Sequence, residues 1–167
     1  MRKISVTLQI NGEAKKLTIG PGDLLLDVLR REGCVGAKRG CETGSCGACT
    51  VLVDGVPIDS CLMFAAQAEG KKITTIEGLA QGDILDPVQE AFLDCAAVQC
   101  GFCTPGMILT AKAFLEQISD PTEDQAREML SGNLCRCTGY RKPVDAVMKV
   151  AHNHCKSDNH KKGRAKP

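Results

Sequence analysis

The sequence predicts an α+β chain in which a small mixed sheet precedes a bundle of four helices. Strand-like alternation fills the first 75 or so residues, and helical periodicity with clear start signals fills most of the rest. Eleven cysteines among 167 residues also supply candidate metal ligands for both halves. The predicted domains are residues 1–77 and 84–155, joined by a linker at 78–83 and followed by a basic flexible tail at 156–167.

Two hairpins define the first predicted domain. Ile4 to Ile10 alternates apolar with polar residues before an Asn11-Gly12 turn, and a second hairpin surrounds Asp54-Gly55. Such dipeptides are typical of two-residue hairpin turns. The other predicted elements are a helix with Asp23 as its N-cap, a glycine-rich loop at 33–49, and a last strand from Lys72 to Ile76.

Capping signals and periodicity predict that the second domain is a four-helix bundle. Each helix begins with a residue that can accept a hydrogen bond from free backbone N–H groups, or with a proline, which lacks one. In the first helix an apolar stripe extends from Val88 to Gln99, which predicts a buried Gln99 side chain. The start signals are Asp86-Pro87 with Gln89, Thr104-Pro105, Thr122 with Gln125, and Pro143.

Charge and hydropathy argue against two classes of protein. The formal net charge is +1, but residues 156–167 hold five Lys or Arg against one Asp, which leaves −3 on residues 1–155. No basic face interleaved with aromatic residues is apparent, so we expect no nucleic-acid binding. No apolar run approaches the roughly 18 residues of a membrane span. Because the N-terminus also lacks the pattern of a signal peptide, we expect a cytoplasmic protein without membrane insertion.

The cysteines indicate metal or redox chemistry, because a reducing cytoplasm disfavours disulfides. The first candidate set has the spacing C-x4-C-x2-C-x11-C, and its first three members match the plant-type 2Fe-2S arrangement. The surrounding glycines let backbone N–H groups approach a negatively charged cluster. A zinc site is the alternative, although only one pair has the spacing of a zinc knuckle. The candidate ligands are Cys41, Cys46, Cys49 and Cys61.

A second candidate set consists of Cys100 with Cys103 and Cys135 with Cys137. Both pairs lie at predicted helix boundaries, where exposed N–H groups and the positive end of a helix dipole can offset thiolate charge. Cys100 and Cys103 alone could form a thioredoxin-like dithiol, but no βαβ unit precedes them and the other pair would remain unexplained. C-x-C is also too tight for most zinc knuckles, so a second cluster between two helical hairpins is favoured.

The remaining cysteines have simpler explanations. Cys34 and Cys95 are expected to be small buried hydrophobic residues. Cys155 lies near three histidines, but a frayed C-terminus explains this region better than a metal site does.

Three strings around the candidate ligands are distinctive. They are Gly36-Ala-Lys-Arg-Gly-Cys41 continuing through Cys46-Gly-Ala-Cys-Thr50, Gln99-Cys-Gly-Phe-Cys-Thr-Pro-Gly-Met107, and Gly132-Asn-Leu-Cys-Arg-Cys-Thr-Gly-Tyr140. Over about residues 3–152 the chain resembles the iron-sulfur small subunits of the molybdenum hydroxylase family. That family includes the xanthine dehydrogenase, aldehyde oxidoreductase and carbon monoxide dehydrogenase types.

The resemblance implies a β-grasp, plant-type ferredoxin-like domain followed by a helical domain, each with one 2Fe-2S cluster. In this family the helical-domain cluster lies beside the pterin of a molybdenum cofactor on a large subunit. The ferredoxin-type cluster usually faces a flavin, FAD, on a medium subunit. Matching positions would put Gln99 and the Cys137 sulfur within hydrogen-bonding reach of the molybdopterin.

The expected function is therefore one-electron relay within a larger oxidoreductase. The chain has no Gly-x-Gly-x-x-Gly fingerprint and no room for a molybdenum domain, so it would be the separate small subunit. A stand-alone two-cluster ferredoxin is one alternative, although the nearly neutral body does not suggest acidic docking patches. The other alternative is an interaction module that zinc stabilises and that has no redox activity.

Overall fold

Five strands in the described part of the chain form one mixed sheet with the order β2-β1-β5-β3-β4. The computed structural model describes residues 3–162, and their side chains as far as His152. Within the sheet, β1 pairs antiparallel with β2 and parallel with β5, while β3 pairs antiparallel with β4 and β5. The strands are β1 (Ile4–Ile10), β2 (Glu13–Ile19), β3 (Thr50–Val53), β4 (Val56–Asp59) and β5 (Lys72–Thr74).

Both predicted hairpin turns are confirmed. Asn11 and Gly12 have φ angles of 50° and 86°, and Asp54 and Gly55 have φ angles of 51° and 82°. Two successive positive φ angles define the turn whose twist matches that of paired strands. The dipeptides therefore set the register of both hairpins, with Ile10 opposite Glu13 in the first.

The predicted N-cap at Asp23 is wrong. Helix α1 (Leu25–Arg31) begins after Leu24 and has no side-chain cap. Backbone carbonyls of the loop after β4 replace the cap, because Leu25 N–H donates to Met63 (2.8 Å) and Leu26 N–H donates to Ser60 (3.0 Å). The Asp23 carboxylate instead accepts a hydrogen bond from the Arg31 side chain. Free helix N–H groups need acceptors, but a neighbouring segment can supply them as well as a capping side chain can.

A hydrophobic core lies between the sheet and α1. Leu8, Leu25, Leu26, Leu29 and Val51 are all completely inaccessible to solvent within it. Two 3₁₀ turns that the sequence did not signal, Ala65–Ala68 and Ile76–Gly78, flank β5. The sheet with its single helix thus agrees with the predicted first half of the chain.

Four helices follow the sheet, and their start signals are confirmed in the main. Asp86 and Thr122 form capping boxes with Gln89 and Gln125. The last helix begins two residues before the predicted Pro143, which lies in its first turn, where a missing N–H costs no hydrogen bond. The helices are α2 (Pro87–Asp94), α3 (Thr104–Gln117), α4 (Glu123–Leu130) and α5 (Arg141–Lys162).

Helix α2 is shorter than the sequence predicts, so the predicted burial of Gln99 is wrong. Ala96 has a φ of 52°, and the N–H groups of Ala96 and Ala97 donate to the carbonyls of Leu93 (3.0 Å) and Phe92 (2.9 Å). This is a Schellman motif with alanine in place of the usual glycine, so no glycine in the sequence indicates the end of the helix. Gln99 therefore lies beyond the helix and is exposed.

The helices pack on one another and on the sheet. Helix α5 contacts α2 and α4, and α3 contacts α4 as well as strands β3 and β4. A second core surrounds the fully buried Phe92, and a small third cluster of Leu52, Leu109 and Ala113 joins β3 to α3. Residues 3–162 thus form a mixed α/β fold with one five-stranded sheet and five helices.

The C-terminal predictions lie largely outside the described residues. Helix α5 continues to Lys162, past the predicted start of the tail at residue 156. Residues 163–167 and the side chains beyond His152, including that of Cys155, lie outside the description, so the mobility of the tail stays a prediction. Among the described helices, none has the length and apolar character needed to cross a bilayer.

Candidate metal centres

The first candidate set lies in the loop between α1 and β3, with one member after β4. The Cys41 side chain contacts that of Cys46, and the Cys49 side chain contacts that of Cys61. Cys41 and Cys46 are half-buried, whereas Cys49 and Cys61 are buried against the first core. The structure thus groups the four predicted residues as two pairs of neighbouring sulfur atoms, Cys41 with Cys46 and Cys49 with Cys61.

Backbone groups of the loop surround these sulfurs. The N–H groups of Thr43 and Ser45 both lie 3.4 Å from Cys41 Sγ and point toward it. If residue 40 had a side chain, its Cβ would lie only 2.8 Å from Cys46 Sγ. A glycine is therefore required there because the backbone passes directly over the sulfur, as expected for a loop wrapped around a cluster.

The metal-free thiols of this set differ in acidity. Hydrogen bonds from the side chain and backbone of Thr43 lower the pKa of Cys41 from 9.0 to about 6. Burial raises the pKa of Cys49 to about 12. Cys41 is thus ready to bind metal as a thiolate at neutral pH, while Cys49 must release a proton when metal binds.

The second set pairs differently from its order in the sequence. Cys137 Sγ lies 3.5 Å from Cys100 Sγ, and the Cys103 side chain contacts that of Cys135. Cys100 and Cys137 are exposed, whereas Cys103 is buried at the start of α3. Because each member of the C-x2-C string pairs with a residue from the other loop, the thioredoxin-like dithiol is not supported.

Polar groups also stabilise this second site. The N–H of Thr138 approaches Cys135 Sγ at 3.5 Å, and the Thr138 hydroxyl lies 3.1 Å from the same sulfur. The hydroxyl of Tyr140 accepts a hydrogen bond from Cys135 N–H (2.8 Å) and donates to the Asn133 carbonyl (3.1 Å). Burial raises the pKa of Cys103 to about 12, and the backbone N–H of Phe102 lowers the pKa of Cys100.

The pairing of the sulfur atoms distinguishes a site for a two-iron cluster from a site for a single zinc ion. Four thiolates around one tetrahedral ion would all lie about 3.8 Å from one another, given metal–sulfur bonds of about 2.3 Å. In the described part of the chain, no group of three or more His, Cys, Asp or Glu side chains converges in that way. Two separate sulfur pairs suit a 2Fe-2S cluster, in which four cysteines divide between two irons. The donor chemistry therefore fits 2Fe-2S at both sites better than zinc.

Sequence reasoning missed the groups that hold the start of the first loop. The Glu77 carboxylate accepts hydrogen bonds from Gly36 N–H (2.6 Å) and from the Thr75 hydroxyl (2.5 Å). Asn11 in turn accepts from Thr75 N–H (2.9 Å) and donates to the Thr75 hydroxyl (3.0 Å). Asn11 was predicted only as a turn residue and Glu77 only as the end of the first domain. No periodic or capping signal connects them, since their contacts span up to 64 residues.

Cys34, Cys95 and Gln99 take no part in either group of sulfurs. Cys34 is buried as predicted, and its Sγ lies 3.9 Å from Asn11 Nδ2. Cys95 is partly buried against the second core. Gln99 immediately precedes Cys100 on the exposed side of the second site, and its contact with molybdopterin stays a prediction.

Fold and sites together define a two-cluster 2Fe-2S protein. Residues 8–80 match the family model of the 2Fe-2S iron-sulfur cluster binding domain, and residues 75–148 match that of the [2Fe-2S] binding domain. The chain belongs to the family of iron-sulfur small subunits of the molybdenum hydroxylases.

Relatives of the chain match it almost from end to end. It is 47% identical to the nicotinate dehydrogenase small FeS subunit of Eubacterium barkeri, over 93% of this chain and 99% of that one. It is 50% identical to the xanthine dehydrogenase iron-sulfur-binding subunit of Escherichia coli O157:H7, over 87% and 92%.

Solved structures agree with these relatives. A chain of quinoline 2-oxidoreductase from Pseudomonas putida 86 superposes with a TM-score of 0.89 at 45% identity, and the match covers 93% of this chain and 98% of that one. Aldehyde oxidoreductase from Desulfovibrio desulfuricans ATCC 27774 matches with a TM-score of 0.86 at 43% identity, over 91% of this chain. The matched part is 17% of that longer chain.

Proposed function

We propose that this chain is the electron-transfer small subunit of a molybdenum-cofactor hydroxylase or dehydrogenase. It relays single electrons from a molybdopterin site on a large subunit to a flavin or another acceptor. The observation that carries this proposal is the presence of two cysteine quartets, each divided into two sulfur pairs, on one chain. When bound, each 2Fe-2S cluster accepts or donates one electron.

The proposed ligands follow the sulfur pairs. At the first site Cys41 with Cys46 and Cys49 with Cys61 would each hold one iron, and at the second site Cys100 with Cys137 and Cys103 with Cys135 would do so. Nearby N–H groups, such as those of Thr43 and Thr138, stabilise thiolate charge. At least one of the cysteine ligands at each site is buried, which limits the access of water to the cluster. This burial supports a stable electron relay.

The distribution of exposed side chains supports two partner surfaces. At the second site Cys100 and Cys137 are exposed, as is Leu134 next to Cys135 in the chain, and this surface suits the large molybdenum subunit, with Gln99 and Cys137 against the molybdopterin. Around the first site, Leu62 is exposed and packs close to Gly44 of the ligand loop. That second surface suits a medium FAD subunit.

The finer architecture belongs to the same proposal. Residues 1–77 form a β-grasp domain and residues 84–155 form a four-helix bundle, with 78–83 as the linker. The contacts of α5 with α2 and α4, and of α3 with α4, support the bundle. The high cysteine content without a disulfide among the described residues supports a cytoplasmic location.

The test is low-temperature electron paramagnetic resonance of the dithionite-reduced protein, with molybdenum analysis of the complex purified from its native source. We expect two distinguishable signals that total about two spins per chain, and molybdenum that co-purifies with the chain. A colourless, silent, zinc-containing protein would contradict the relay. Two clusters on a chain that purifies alone and without molybdenum would indicate the stand-alone ferredoxin instead.

A further inference from the structure

A buried amide joins the two ligand loops. Asn133 is only 2% exposed, and its Nδ2 donates hydrogen bonds to the Gly47 carbonyl (2.8 Å) and to the Thr50 hydroxyl (3.2 Å). The Thr50 hydroxyl in turn donates to the Gly47 carbonyl (2.7 Å). Asn133 is thus a buried polar side chain whose hydrogen bonds connect residues more than 80 positions apart.

The backbones of the two halves approach closely at the same point. The N–H of Leu134 donates to the Cys46 carbonyl at 2.9 Å. A Cβ on Gly47 would lie 2.4 Å from the Gly132 carbonyl oxygen, and a Cβ on Gly106 would lie 2.4 Å from the Gly47 carbonyl oxygen. Neither glycine can therefore gain a side chain without moving one half away from the other.

The contacts among Gly47, Gly132 and Asn133, which we call the joint, lie in the ligand loops themselves. Gly47 lies between Cys46 and Cys49 of the first site, and Asn133 precedes Cys135 by two residues at the second site. A change in the joint must therefore shift sulfur atoms at both sites. Apolar packing, and not the joint, holds the two halves together, because the cluster of Leu52, Leu109 and Ala113 packs β3 against α3.

We propose that Asn133 is a positioning residue that fixes the distance and orientation between the two clusters. The inference rests on the proposed function, since it assumes that both sites hold 2Fe-2S clusters. Apolar packing keeps the two halves together, and the amide sets their alignment, because hydrogen bonds are directional while apolar contacts are not.

The test is the magnetic interaction between the two clusters in the full chain, measured as splitting of the electron paramagnetic resonance lines that appears only when both clusters are reduced. Asn133→Asp keeps the shape of the side chain but replaces the amide donor with an oxygen facing the Gly47 carbonyl. We expect this variant to retain both signals with unchanged spin counts and to lose the wild-type splitting.

A second variant perturbs the joint from the helical side. Gly106→Ala puts a methyl group against the Gly47 carbonyl while favouring the helix, so a change in splitting cannot come from a weakened α3. The matched control is Asp86→Ala, which removes a side-chain hydrogen bond to Val88 N–H (2.9 Å) at the start of α2, within the helical half and away from both ligand loops. We expect Gly106→Ala to change the splitting and Asp86→Ala to preserve it.

Each outcome separates this inference from the proposed function. Fewer than two cluster signals in the wild-type chain would contradict the proposed function itself. Two signals without splitting in the wild type, or unchanged splitting in a variant that keeps both clusters, would overturn the role of Asn133 alone. If neither variant retains both clusters, the joint serves assembly and not alignment, and the inference is likewise overturned.

Discussion

The two cysteine sites differ in how the chain builds them. At the first site the paired sulfurs are close in sequence, since Cys41 and Cys46 belong to one loop and Cys61 follows after a single hairpin. At the second site the partners Cys100 and Cys137 are 37 residues apart and lie on loops that α3 and α4 separate. Local turns form most of the first site, while the second exists only when its helices pack.

They also differ in exposure. Cys49 and Cys61 belong to the core beneath the sheet, whereas Cys100 and Cys137 are open to solvent in the single chain. A locally built, deeply anchored site should resist distant mutations. A site made by helix packing and open on one side should respond both to core mutations and to partners. The following predictions test that contrast, beginning with the largest effect.

Removal of one ligand at either site should eliminate only the corresponding signal. Cys41→Ser should abolish the first signal and Cys135→Ser the second, so that about one of the two spins remains in each variant. Each ligand belongs to one site only, and the two sites lie on different loops beside different hydrophobic cores. Loss of one ligand should therefore leave the other site unchanged. Spin integration of both reduced variants checks this. Loss of both signals from a single substitution would show that the sites assemble as one unit.

Truncation of a core side chain should destabilise the cysteine site beside that core more than the other site. Phe92→Ala in the second core should cost about 3–5 kcal/mol, and Leu29→Ala in the first about 2–5 kcal/mol. Both side chains are completely buried. Urea titration followed by the two resonance signals should show the second cluster lost earlier in Phe92→Ala and the first lost earlier in Leu29→Ala. Identical midpoints for both signals in each variant would contradict the contrast.

The Tyr140 hydroxyl should matter only at the second site. Tyr140→Phe removes the acceptor of Cys135 N–H and the donor to the Asn133 carbonyl, which should cost about 1–3 kcal/mol. The expected result is a lower urea midpoint for the second signal with the first unchanged. An equal shift of both signals would mean that the two halves unfold together.

Gln99→Ala should have the smallest effect on the chain and a visible effect on the complex. Because Gln99 is exposed, we expect the free energy of unfolding to stay within about 0.5 kcal/mol of the wild type. Loss of a hydrogen bond to molybdopterin should nevertheless raise the barrier to turnover by about 1–3 kcal/mol. The control is Gln117→Ala, an exposed glutamine at the end of α3. Equal turnover in both variants would remove Gln99 from the pterin contact.

Elements with local signals were predicted well. The Asn11-Gly12 and Asp54-Gly55 turns and the Asp86 and Thr122 caps depend on neighbours within a few residues, and the structure confirms all of them. The failures arose where a distant or unusual group replaced the local signal. Carbonyls of residues 60 and 63 took over the role of a cap at α1, and alanine adopted the left-handed angle that ends α2.

The sequence by itself determined the turns, the capping boxes, the two sets of cysteines and the family, because each depends on residue type and short spacing. Only the tertiary structure decided which cysteines pair at the second site and how Asn133 joins the two ligand loops. The physical reason is that these contacts link residues 37 to 86 positions apart. Burial and packing select such contacts, and no local preference of the chain encodes them.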